Sequence, residues 1–149
     1  METEKDSVKT CLIVLFLLSS LAAAASRKTV WDGVYTTAQA ERGKTSYHLF
    51  CAGCHGEDLS GSAQGCATRC IDGKASALKG DKILDRKELH NLFRYIRDWM
   101  PQDDMGSLDD KTCIDIVAYI LQQNAFPDGA SELRTDAETL RQILLVKKP

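Results

Sequence analysis

The run Cys51-Ala52-Gly53-Cys54-His55 constrains this chain more than any other feature. Two thiols three residues apart can each form a thioether to a vinyl group of one haem. The histidine directly after the second thiol is then held beneath the iron as its proximal ligand. The small Ala52-Gly53 pair lets the chain curl tightly over the porphyrin edge. A motif of five residues needs support elsewhere in the chain, from an export signal and from a second iron ligand.

The first 25 residues read as a targeting segment. Residues 11–25 are almost wholly apolar and end in the run Ala22-Ala23-Ala24-Ala25, the core and cleavage region of a secretory signal with a cut after Ala25. A helix over that stretch reaches only about 22 Å, short of the roughly 30 Å hydrocarbon core of a bilayer. Glu2, Glu4 and Asp6 oppose Lys5 and Lys9, so the leader is less basic than most signals. Cleavage and retention as an N-terminal anchor therefore both stay open, and with them a periplasmic or a membrane-anchored location. Export fits the chemistry, because covalent haem attachment of this kind is completed outside the cytoplasm.

Residues 26–149 suffice for one modest core: an extension over 26–36, a domain over 37–124 and a tail over 125–149. With 19 Lys and Arg against 21 Asp and Glu, the chain shows no charge excess that points to nucleic acid or to an anionic membrane surface.

Apolar and small residues at Ala40, Gly43, Tyr47 and Phe50 recur at helical spacing behind the hydroxyls of Thr36 and Thr37, which predicts a helix over 37–50. Gly43 inside such a helix costs about 1 kcal/mol relative to alanine, so it calls for a packing reason. Residues 56–84, rich in glycine and serine, read as loop. A second helix is expected from Asp85, where Asp85-Arg86-Lys87-Glu88 resembles a capping box, up to the Trp99-Met100-Pro101 stop. A third is expected from just after Ser107 to about Gln123, burying Cys113, Ile116, Val117, Ile120 and Leu121. A short helix is expected over 135–144, and no strand pattern is visible. The fold class is all-α, with long loops that a haem would help to cover.

A thioether sulfur stabilises ferrous iron, so methionine suits the second axial position of an electron carrier. Met100 is the leading candidate, on an extended loop stiffened by Pro101, and Met105 is the alternative. His48 and His90 read as solvent-facing. Trp31, Trp99, Arg94 and Arg97 read either as lining the haem edge or as ordinary core and surface residues.

Taken together, residues 30–126 resemble the single-haem class I c-type cytochromes. Cys51 to Gly56 is similar to that family's haem motif and Tyr95-Ile96-Arg97-Asp98-Trp99-Met100-Pro101 to its methionine-ligand loop. Gly106-Ser107-Leu108 with Ile116-Val117-Ala118-Tyr119-Ile120-Leu121 is similar to its C-terminal helix. The resemblance implies a cytochrome c-like domain around one covalent haem c, with iron held by His55 and Met100. It also implies that the first and last helices cross at Gly43, Tyr47 and Tyr119. Ser76 stands where the family has proline; its carbonyl can still accept the His55 ring N–H.

The segments Val30-Trp31-Asp32-Gly33-Val34-Tyr35-Thr36 and Asn124-Ala125-Phe126-Pro127 resemble a subgroup found beside quinoprotein alcohol dehydrogenases. That implies such an enzyme as electron donor, and a terminal oxidase or another cytochrome as acceptor.

Cys66 and Cys70 are additions that the family does not require. In an exported chain they are expected to form a disulfide, worth about 2 kcal/mol in the chain-entropy model. Together with Cys51 and Cys54 they also permit a four-cysteine zinc site. An open-site haem enzyme or sensor is the other alternative, and it would bind carbon monoxide where a six-coordinate carrier would not.

Overall fold

The computed structural model describes residues 27–61 and 75–148. The expected leader and the Cys66–Cys70 disulfide lie outside these residues, as does the zinc reading that needs both cysteines. Among the described residues no helix is long and apolar enough to cross a membrane.

Helix α1, Thr37–Phe50, begins where Thr36 adopts an extended conformation and its hydroxyl accepts a hydrogen bond from the Gln39 N–H at 3.1 Å. That bond satisfies one of the free N–H groups of the first turn. A single turn, α2 (Ala52–His55), comes at once: the Cys51 carbonyl accepts from the N–H groups of Cys54 and His55 at 3.1 and 2.9 Å. Helix α3 (Leu89–Trp99) buries the expected stripe of Leu89, Leu92, Phe93 and Ile96. It stops at Met100, which is extended before the cis Met100–Pro101 peptide. Helix α4 (Asp110–Gln123) is capped by Asp109, whose carboxylate accepts from Thr112 N–H at 2.6 Å.

Three boundaries differ from expectation. Residues Asp81–Arg86 form a 3-10 segment instead of the start of α3. The chain then turns at Lys87, with φ at 62°, and α3 starts only after Glu88, so the Asp85 capping box does not form. The cap of α4 is Asp109, two residues past Ser107. The tail helix α5 is shorter than expected, Ala137–Arg141 behind an Asp136 cap. Beyond α5 the chain extends into a short strand, β2 (Ile143–Leu144), which pairs in parallel with β1 (Lys28–Thr29).

The core is organised by the crossing of α1 and α4. At Gly43 an added Cβ would lie 1.8 Å from the Asp115 carbonyl oxygen, so only a hydrogen allows the backbones to come this close. Next to it the Tyr47 and Tyr119 rings sit 5.2 Å apart, tilted at 52° to one another, within the centroid range of favourable aromatic pairs. Arg42 reaches across the same crossing to Asp115, which is 4% exposed, with bonds of 2.9 and 3.1 Å. Lys111 adds a third bond at 2.9 Å. Burial works against the Asp115 carboxylate, but the Arg42 and Lys111 bonds together outweigh it and hold the group below its ordinary range.

The two ends of the domain are tied to each other. Tyr35 donates to the Phe126 carbonyl at 2.6 Å, and the buried Gln39 amide exchanges two bonds with the Leu133 backbone at 3.1 and 2.8 Å. Trp31 packs edge-on against Phe126, with centroids 4.8 Å apart, and donates to the Val146 carbonyl at 2.9 Å. The tail also grips the turn before α3: Leu145 N–H donates to the Lys87 carbonyl at 2.8 Å, and Leu144 bridges to Glu88.

Candidate cofactor site

The chain runs from α1 through Cys51 directly into α2, so Cys51, Cys54 and His55 emerge together at the end of a helix fixed by the α1–α4 crossing. All three line a cavity of about 760 Å³, whose other walls include Leu78, Ile83, Leu92, Ile96, Ile116 and Ile120. This size falls within the roughly 300–1,000 Å³ typical of sites for small molecules and cofactors. Met100, half-buried at the end of α3, lines the same cavity, so the structure brings together all four residues singled out in the sequence. Met105 is 57% exposed and lies outside the lining.

The imidazole of His55 has its Nδ1 at 2.8 Å from the Ser76 carbonyl oxygen. A carbonyl can only accept, so Nδ1 carries the proton and Nε2 keeps the lone pair that a metal takes. Burial pushes the His55 pKa down, more than the bond to Ser76 raises it, and favours the neutral ring that ligation needs. Burial also pushes the Cys51 thiol up to about 12. The turn after His55 is secured by Tyr47, whose hydroxyl donates to the Gly56 carbonyl at 2.7 Å.

These residues fit a covalent haem. Two thiols stand at thioether spacing, a neutral imidazole has its tautomer set by a backbone acceptor, and apolar side chains from α3 and α4 can cover the porphyrin.

Several side chains sit elsewhere than the sequence suggested. His90 is buried, 8% exposed, because α5 packs over its helix; its pKa is lowered first by that burial and then by Arg141 and Arg94. The expectation of a solvent-facing His90 is thereby corrected. His48 is exposed as expected and pairs with Glu57. Trp31 belongs to the contact between the two ends of the domain, and Trp99 is 56% exposed outside the lining. Arg94 and Arg97 close on Asp98 at 2.7 and 2.8 Å and do not line the cavity. Two cations that do line it, Lys82 and Arg86, carry no mark in the sequence. They lie in a segment that reads as loop and as helix start, where no periodicity marks the facing side. Cys113 is fully buried, as its place on the α4 stripe predicts.

Comparison with curated proteins and with solved structures gives no match. A protein-family model described as cytochrome c oxidase, cbb3-type, subunit III matches residues 38–120, more than half of the chain. That span runs from the start of α1 into α4 and contains every residue of the haem motif together with Met100. The chain accordingly belongs to this family of cytochrome c domains, small all-α folds that bind haem c covalently and use its iron for electron transfer with redox partner proteins.

Proposed function

We propose that the protein is an exported carrier of single electrons, in which Cys51 and Cys54 would hold one haem c and His55 and Met100 would ligate its iron. When bound, the haem supplies a one-electron ferric–ferrous couple. The chain's own residues attach it, orient His55 through Ser76, keep water from the porphyrin with the aliphatic wall of α3 and α4, and offer a soft sulfur that favours the ferrous state. The observation that carries this reading is the meeting of Met100 with the CxxCH residues in one cavity.

We assign the protein to the periplasm, free or anchored by residues 11–25, on the secretory character of its first 25 residues. The donor we propose is a quinoprotein dehydrogenase and the acceptor a respiratory oxidase or another cytochrome. The two segments that resemble the dehydrogenase-associated subgroup support that choice, and they touch one another through Tyr35, Trp31 and Phe126.

The visible spectrum of the exported protein after acid–acetone extraction tests the reading. Retained haem, low-spin in both redox states and with the weak far-red sulfur-to-iron band, is the expected result. Met100→Ala should abolish that band and let the ferrous protein bind carbon monoxide. An unchanged spectrum in Met100→Ala would refute the ligand assignment, and carbon monoxide binding by the parent protein would favour an open-site enzyme or sensor.

A further inference from the structure

We infer that the C-terminal tail is a pH-sensitive clasp on α3, loosened when His90 takes up a proton beneath α5. This goes beyond the electron-carrier reading and does not depend on what fills the cavity. The clasp is made of few contacts. Helix α5 has only five residues, too few to persist without the surface it covers. Leu140, Ile143 and Leu145 are buried along the tail, and the Leu145 N–H donates to the Lys87 carbonyl at 2.8 Å. Arg27 joins both sides, donating to Glu88 at 2.8 Å and to the Arg141 carbonyl. These bonds hold the turn from which α3 starts.

His90, the second residue of α3, is buried where α5 packs on that helix. The charged groups around its ring are Arg141 from α5, Arg94 and Arg97 from its own helix, and Glu88 from the turn before it. Asp98 engages Arg94 and Arg97, while Arg27 engages Glu88, the one acid of the set. A proton on the ring would therefore place a charge under an apolar cover, facing Arg141, with its nearest acid already paired. Burial first, and then Arg141 and Arg94, hold the His90 pKa below its ordinary 6.5, and the opposing pull of Glu88 does not reverse this. The sign follows. A neutral ring suits the closed tail and a charged ring suits an open one. The closed tail is fully favoured above 6.5 and loses that advantage as pH falls through the native value. Imidazole is the side chain whose charge ordinarily changes between about pH 5 and 8, so the clasp responds in that range.

Hydrogen–deuterium exchange of the exported protein with its full tail, corrected for the intrinsic rate at each pH, tests the clasp. Protection over residues 137–146 should fall several-fold between about pH 7.5 and about pH 5, while protection at the α1–α4 crossing holds. His90→Phe keeps an apolar ring without a proton to gain, and His90→Asn keeps a polar group that does not titrate. Both should show tail protection that no longer depends on pH, and either one suffices if the other fails to fold. His48→Gln, which removes an exposed histidine paired with Glu57 on α1, should keep the parent's fall. A parent tail equally protected at both pH values overturns the inference, as does a His90 variant that retains the parent's fall. Simultaneous loss of protection in the tail and at the crossing also overturns it, since the whole domain would then be opening.

Discussion

The two sides of α4 are equally buried and differently used. Asp115 and Tyr119 face α1 and are met by Arg42, by the backbone at Gly43 and by the Tyr47 ring. Ile116 and Ile120, one residue further along at each step, line the same cavity as His55 and Met100. The first side is completed by protein atoms alone and is specific, with a glycine that admits no Cβ and a buried charge with its partners in place. The second is generic aliphatic surface, which suits a flat apolar cofactor and asks only for bulk. Lesions on the crossing should therefore appear as lost stability. Those on the cavity should appear as altered ligation and potential in a protein that still folds.

The sharpest way to break this contrast is Gly43→Val. With a Cβ directed at the Asp115 carbonyl, α1 and α4 must separate, and the expected cost is about 3 kcal/mol, read as a fall of about 10 °C in the thermal midpoint. A midpoint equal to the parent's would mean that the crossing relaxes freely.

Asp115→Asn should cost roughly 2–3 kcal/mol near neutral pH, the scale of hydrogen bonds to charged groups. Its pH dependence has a definite sign. The native carboxyl is held below the ordinary 3.8, so its contribution is fully present above that value and is lost as pH falls through the native one. Urea midpoints of parent and variant should be well separated at neutral pH and converge below about pH 4. A constant gap would assign the effect to packing.

Tyr47→Phe, the mildest of the three, lies where the two regions meet, since the ring packs on Tyr119 while the hydroxyl holds the turn after His55. The variant should lose about 1 kcal/mol of stability in denaturant titration. A shifted midpoint potential in the same protein would show that the crossing also tunes the iron ligand.

How far the sequence discloses all this depends on how local the deciding interactions are. Helix α1 is legible to the residue, because its cap at Thr36 and its spacing lie within the segment. The start of α3 is not, since Ile83 is drawn into the core and the turn at Lys87 is held by Leu145, far along the chain. The β1–β2 ladder is two residues long on each side, too short for any alternation to register. His90 looks solvent-facing on its own helix and is buried only by the later arrival of α5. That Cys51, Cys54, His55 and Met100 gather in one cavity is legible, because short spacing and an X-Pro context mark them. The place of Arg86 in the cavity wall is not, because its contact is with a ring nine positions away, reached across the turn at Lys87.

His55 takes its orientation from the Ser76 carbonyl, an acceptor that every amino acid possesses. Position 76 therefore contributes through its backbone, and serine supplies the acceptor as any residue would. The burden passes to Gly61, whose φ is 81° and where a Cβ would lie 2.5 Å from the Ala75 carbonyl oxygen and 3.1 Å from the Ala77 nitrogen, on either side of Ser76. The chain leaves for residues 62–74 at Gly61 and returns at Ala75 through this same pinch. The direction of the His55 ring thus hangs on a backbone pinch that any side chain at Gly61 would force open.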